Sequence, residues 1–336
     1  MARQSDEFLM AWSSLSGDGP DVGWQTIPVA PTGPLELCAG RRAPDNAEAV
    51  LVGFPAGRLL ASDKLPEGQG FAVERANPED KGVLWLALTR KAAGSIDLFT
   101  DMACNVTGTL DDAVSAGANV DKLLRVFIGR VGAWQEFMRK GTQALSPEAE
   151  IGLIGELTIL LKIIEAGVPA IVAVEGWIGP LDGVQDFILG TGALEIKSTL
   201  SSVGFPARIG SLEQLDDAVR QPLFIIGQRL RQTETGLSLP DVVDAARAAV
   251  KGDPGAASTL DDRLIAGCYV DAHAARYSRR FAMGDTLVIE VGDDFPRLTI
   301  GRVPFGVIKA TYDIDLDKAP GHRINVVTTL KRMGVI

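Results

Sequence analysis

Between Ile151 and Leu161 almost every position is apolar, and Glu156 is the only charge in the run. Ser146, Pro147 and Glu148 stand just ahead of it as a helix start: a serine cap, proline at the first helical position and acids in the first turn. The pattern predicts a helix from there to Ala166, stopped by Gly167 and Pro169 and buried on most sides. Gly152 leaves space above the Glu156 carboxylate, and Gly155 lets the helix press closely against a neighbour. Period-two alternation follows. In Val184 to Leu189, Phe187 and Leu189 are apolar while Asp186 has the opposite parity. In Ala193 to Thr199, Leu194 and Ile196 face one way while Glu195 and Lys197 face the other. Gly190, Thr191 and Gly192 supply turn chemistry, so the two runs predict a hairpin. A Gly190-Thr191 loop sets Asp186 across from Glu195, and a Thr191-Gly192 loop sets it across from Lys197. Both put the three charges in one polar patch.

The rest of the chain frames this region. Short apolar runs at Trp24 to Pro28, Leu35 to Cys38, Ala49 to Val52, Gly70 to Val73 and Val83 to Leu88 predict a mainly β region over residues 1–110, as a sheet or small barrel. Leu110 through Met138 predicts a helix broken near Gly117, with Val126, Phe127, Trp134 and Phe137 on its apolar face. Residues 111–145 are thus linking helices. Ala170 to Val174 is expected as a first core strand, Gly210 to Asp217 as a short helix and Leu223 to Ile226 as the next strand. Together with the Glu156 helix and the hairpin, these give an αβββαβ core over residues 146–235. Helices at Pro240 to Val250 and Leu260 to Ala275, with strands at Asp285 to Val291 and Gly306 to Tyr312, complete it over residues 236–336. The expected fold class is α/β (α+β).

A carboxylate and an ammonium on a buried sheet edge are costly unless they bind something. With a second acid beside them, the matching ligands are a divalent metal and a phosphate. Other chemistries find less support. Gly190 to Ser198 lacks the glycine before lysine, and the helix after it, that a phosphate-binding loop needs. Two histidines, His273 and His322, lie outside metal-ligand spacing and argue against a zinc site or a Ser-His triad. Cys38, Cys104 and Cys268 form no disulfide framework and suit a reducing cytoplasm. No secretory signal or membrane-length apolar run is visible, so a cytoplasmic protein without membrane contact is expected.

Glu156 in Gly-Leu-Ile-Gly-Glu-Leu157, then Trp177-Ile-Gly-Pro180, Asp186-Phe187 and Glu195-Ile-Lys197, resemble the PD-(D/E)xK superfamily, the restriction-endonuclease-like fold. Within it the chain is similar to bacterial members encoded among phage-defence genes. Gln185 stands where the motif has proline. The resemblance covers Ser146 to about Leu230. It implies a metal-dependent DNA endonuclease of a restriction or antiviral system. Asp186, Glu195 and the Ile196 carbonyl would hold Mg²⁺ or Mn²⁺, with Glu156 as an outer ligand or water-positioning acid. Lys197 would orient the attacking water or offset transition-state charge. Gln214 and Ser198 are candidate substrate contacts. One or two metals, and DNA or RNA, remain open. Implied partners are DNA, proteins of a defence gene cluster and a second copy of the chain.

The net charge of −10 over 336 residues runs against a phosphate-binding protein. Local clusters at Arg276, Arg279 and Arg280, at Arg139 and Lys140, and at Arg208, Arg229 and Arg231 are the candidate phosphate track. Two rival readings keep the fold or the pattern without the chemistry. One is a non-catalytic nuclease-fold subunit for DNA binding or assembly. The other is an interaction protein in which Glu195 and Lys197 form a surface pair.

Overall fold

The structure, a computed structural model, describes residues 5–15, 22–60, 64–78, 82–140 and 143–336. The Lys140 side chain, one of the expected cations, lies outside the described set. The chain forms two compact units, one of residues 1–142 with 270–272, the other of residues 143–269 with 273–336.

The first unit holds α1 (Ser5–Ser14), strands β1 (Gly23–Pro28), β2 (Glu36–Ala43), β3 (Ala47–Pro55), β4 (Phe71–Ala76) and β5 (Val83–Arg90), then α2 (Ile96–Ser115) and α3 (Val120–Lys140). The strands form an antiparallel five-stranded sheet, β1-β2-β3-β5-β4. All five follow the sequence pattern, and Gly117, at φ +75°, separates α2 from α3 where the break was expected. The apolar run of β3 is buried on both faces. Ala49 and Leu51 pack with Trp85, while Phe54 meets Phe127 of α3 edge-on.

The second unit begins with α4 (Pro147–Glu165). Ser146 Oγ accepts from Ala149 N–H at 3.2 Å and Pro147 opens the helix, as the capping pattern requires. Then come α5 (Ala170–Gly176), a short 3₁₀ turn (Gly179–Leu181), β6 (Phe187–Leu189), β7 (Gly192–Thr199), β8 (Pro206–Ile209) and β9 (Leu223–Leu237). They are followed by α6 (Leu239–Val250), α7 (Pro254–Ala266), β10 (Phe281–Glu290), β11 (Tyr312–Asp315), β12 (Arg323–Ile324) and α8 (Val326–Arg332). The main sheet runs β12-β10-β9-β7-β6, with β7 and β9 parallel and the other pairs antiparallel. β8 and β11 pair separately.

The two faces of this sheet are covered differently. Leu194, Ile196, Phe224 and Ile226 pack with Leu157 and Leu160 of α4, Trp177 and Phe187. Ala193, Leu223 and Ile225 pack with Phe205, Ala207 and Ile209 of the β8 region. The hairpin register is the first of the two weighed: Leu189 pairs with Gly192 and Phe187 with Leu194, around Gly190 at φ +54°.

Five expected elements differ. The first linking helix, expected from Leu110, already begins at Ile96, inside the region expected to be mainly β. Ala170 to Val174 is the helix α5, not a strand; a five-residue apolar run carries too little periodicity to separate the two. Gly210 to Asp217 is a loop. Gln214 Oε1 takes the Gly210 N–H at 2.7 Å and Ser211 Oγ the Glu213 N–H at 3.3 Å, local side-chain bonds that offer this backbone an alternative to a helix. The core therefore has a helix where its first strand was expected and a loop where its second helix was expected. The Leu260 to Ala275 helix instead starts at Pro254 under an Asp253 cap and stops at Ala266, before Cys268 at φ +64°. The strand expected from Gly306 begins only at Tyr312.

Candidate active site

Asp186 is immobilised just before β6 begins. Its N–H donates to Leu194 O at 3.0 Å, and its carbonyl accepts from Ile178 N–H at 2.8 Å and Gly179 N–H at 3.0 Å. Its Oδ2 accepts from Ile196 N–H at 2.6 Å, which leaves Oδ1 to point elsewhere. Along a strand, one residue's N–H and C=O point to the same side. Those of Leu194 and Ile196 share the β6 side, and the ladder stops at the Phe187–Leu194 pair. The Ile196 carbonyl therefore looks out over the open edge beside Asp186.

Glu195 lies on the β8-facing side of β7 and is 1% exposed. One oxygen pairs with Lys197 Nζ at 2.6 Å; the other, Oε2, is buried with no hydrogen-bond partner. Glu156 comes from the opposite face on α4. Its Oε2 accepts from Trp177 Nε1 at 2.7 Å. The two faces meet at Gly179. A Cβ added there would lie 2.8 Å from Asp186 Oδ1 and 2.9 Å from Glu156 Oε2, so glycine is what leaves room for both carboxylates. Gly155 serves the same end: a Cβ there would strike Ser198 Oγ at 1.9 Å, so its absence lets α4 reach β7. Gly152, with nothing within 4 Å of an added Cβ, leaves open space as expected.

Electrostatics bind the cluster together. Burial pushes Glu156 up to about 8, and the Asp186 charge adds to it, against the Trp177 hydrogen bond and the Lys197 charge. Burial likewise lifts Asp186 to about 6, opposed by the Ile196 N–H and by Lys197. Glu195 is held well above the usual carboxylate range, first by burial and then by Asp186. For Lys197, burial works to lower the pKa, but Glu195, Asp186 and Glu156 outweigh it and the ammonium ends above its ordinary value. One buried acid, Glu195, and two half-buried ones, Glu156 and Asp186, thus face one ammonium.

That imbalance, the bare Glu195 Oε2 and an all-oxygen donor set fit a hard divalent cation such as Mg²⁺ or Mn²⁺. Among the described residues, no three His, Cys, Asp or Glu side chains are already converged on one point. Magnesium takes one or two carboxylates and retains water, so Asp186, Glu195 and the Ile196 carbonyl suffice for its chemistry. The burial of Glu195 overturns the surface-pair reading.

The remaining candidates part company. Ser198 shares the α4-facing side with Ile196, and its Oγ is buried against Gly155 without a hydrogen bond. Gln214 is engaged by Gly210 rather than by the acids. Several expected phosphate-track cations are engaged internally. Arg279 grips Glu150 at 2.5 Å and Pro147 O at 2.7 Å. Arg280 pairs with Asp241 at 3.2 Å, Arg229 with Asp317 at 3.0 Å and Arg139 with Glu136 at 2.8 Å. Arg208, Arg231 and Arg276 are exposed.

Two residues gain a role that spacing alone does not reveal. Trp177 is fully buried, stacks on Phe187 at 6.4 Å and holds Glu156. Gln185 Nε2 donates to Glu213 O at 3.3 Å and Gln214 O at 3.4 Å, tying the 210–217 loop to the residue next to Asp186. A lone tryptophan after a helix and a glutamine before an aspartate carry no periodic signal.

A family model described as "Putative PD-(D/E)XK family member, (DUF4420)" matches residues 8–317. The chain belongs to this family. Its mixed α/β architecture is a restriction-endonuclease-like α+β fold, so the expected fold class holds. The match spans both compact units, well beyond the core that the sequence motifs mark. No curated protein and no solved structure matches the chain. Among the described residues, no helix is long and apolar enough to cross a membrane.

Proposed function

We propose that this chain is a Mg²⁺- or Mn²⁺-dependent deoxyribonuclease, an endonuclease acting in the cytoplasm within a bacterial restriction or antiphage system. Residues 146–235 house its nuclease core, completed by residues 236–336. The observation that carries the proposal is the excess of carboxylate over cation, one acid buried and two half-buried, just before β6 begins. Asp186 Oδ1, Glu195 Oε2 and the Ile196 carbonyl would hold the ion. When bound, it supplies a Lewis acid for the phosphodiester and a water of lowered pKa. Lys197 Nζ, held beside Glu195, orients that water and offsets charge on the phosphorane oxygens. Glu156, fixed by Trp177, positions water on the far side of Asp186.

A non-catalytic subunit that keeps this fold for DNA binding or assembly is the second reading. The near-complete burial of Glu195 favours it. Cleavage assays separate the two, using plasmid, linear and single-stranded DNA in Mg²⁺ and in Mn²⁺. The nuclease cuts, and Glu195→Ala and Lys197→Ala do not. Cleavage that survives both substitutions contradicts the assignment, and no cleavage of any substrate supports the subunit.

A further inference from the structure

In the loop 210–217, three successive carbonyls are each taken by a side chain from elsewhere in the second unit. Gln185 Nε2 is shared between Glu213 O at 3.3 Å and Gln214 O at 3.4 Å. Arg297 donates through one terminal nitrogen to Leu215 O at 2.7 Å, and the same nitrogen pairs with Asp217 Oδ1 at 2.8 Å. The arginine side chain is 3% exposed, and its Nε is buried without a hydrogen-bond partner. Burying a guanidinium with a donor left bare is costly, so this ion pair is weak ground for a purely stabilising role.

The 213–215 segment joins the two elements that carry the metal-binding acids. The Leu215 side chain is fully buried in the apolar cluster that also holds Ala193, which shares a face of β7 with Glu195. Gln185, itself buried, directly precedes Asp186. One side of the segment is thus seated on the Glu195 face, and the other is tied to the residue before Asp186. Restraint is needed there, because β6 is a three-residue edge strand and like charges repel until a cation arrives. We propose that Arg297 is a positioning residue: it braces the 213–215 backbone, which keeps Asp186, through Gln185, in register with Glu195. The inference rests on the nuclease reading and adds to it what holds the ligands in place before the ion binds.

The test uses the full chain, with Arg297→Met to remove the donors and Arg297→Lys to keep one charged group. Calorimetry with Mn²⁺ should show Arg297→Met binding about tenfold more weakly than wild type, with Arg297→Lys recovering most of the loss. On plasmid DNA in Mg²⁺, kcat should fall by a similar factor at unchanged KM. In metal-free protein, exchange at the Ile196 amide, which donates to Asp186 Oδ2, should speed up about tenfold while the α4 amides keep their rates. Gln185→Leu cuts the other end of the link and should give the same pattern, which covers a failure of Arg297→Met to fold. Wild-type Mn²⁺ affinity and Ile196 exchange in either variant overturn the brace, even with a lowered thermal midpoint. So does acceleration spread evenly over the second unit, the mark of lost stability alone. A wild type that binds no Mn²⁺ contradicts the nuclease reading, and the metal-free exchange comparison still decides the brace.

Discussion

Glu48 in the first unit and Glu195 in the second are both buried carboxylates on sheet strands, and their surroundings are opposite. Glu48 meets Arg41 at 3.1 Å through one oxygen and Arg90 at 2.6 Å through the other. Glu195 has Lys197 on one oxygen and nothing on the other, with Asp186 and Glu156 adding charge of its own sign. An unpaired oxygen is not by itself the distinction. Buried Glu150 also leaves Oε1 bare, yet Arg279 matches its charge one for one. What separates Glu195 is the charge count. An ion pair that only holds a sheet together is balanced within the chain; this cluster balances only by taking up protons or recruiting a cation.

The largest expected effect is on cleavage. Glu195→Ala and Asp186→Ala each lower Mg²⁺-dependent hydrolysis by about a thousandfold or more, measured on plasmid DNA. Glu48→Gln leaves the rate per folded molecule unchanged. Stability should split the same two positions with opposite signs. In EDTA, Glu48→Gln destabilises by about 3 kcal/mol because two guanidiniums lose their counter-charge. Glu195→Gln stabilises by about 1 kcal/mol, because it removes like-charge crowding from a buried site. Urea melts of the two variants decide this, and equal signs would erase the contrast.

The pH dependence sharpens it further. Asp186 is raised from 3.8 to about 6 and Glu156 from 4.5 to about 8, so the metal-free folded state binds more protons than the unfolded one. Their stabilising contribution is complete below about pH 4 and is lost as pH rises through about 6 and then about 8. Wild type should lose stability relative to Asp186→Asn/Glu156→Gln across that window, and Mg²⁺ should restore it. A constant difference would break the linkage. The smallest effect belongs to Trp177→Phe. It keeps the stack on Phe187 but removes the donor to Glu156, and should slow cleavage about tenfold.

Alternation made the hairpin legible, because a one-residue slip would have exposed Phe187 and Leu194 and buried their polar neighbours. Capping chemistry made α4 legible, since Ser146 and Pro147 act within one turn. Longer-range partners were not legible. The apolar run at Ala170 fits a buried helix as well as a strand, and only packing decides. Gln214 reads as a polar residue near the site but spends its carbonyl on its own loop. The arginines read as a phosphate track, yet several answer nearby carboxylates that sequence distance conceals: Arg279 and Glu150 are 129 residues apart. Trp177 and Gly179 were visible in the sequence only as part of the motif Trp177-Ile-Gly-Pro180; what they do, holding Glu156 and leaving room for two carboxylates, surfaced only through contacts.

The most direct test is a calorimetric titration of metal-free wild type, Asp186→Asn and Glu195→Gln with Mn²⁺ near neutral pH, in two buffers of different ionisation enthalpy. Wild type should bind the ion with release of protons, since the acids must ionise to hold it, and both variants should lose that binding. Equal binding by all three proteins, or a wild type that takes up no ion, would contradict a cation site at the start of β6.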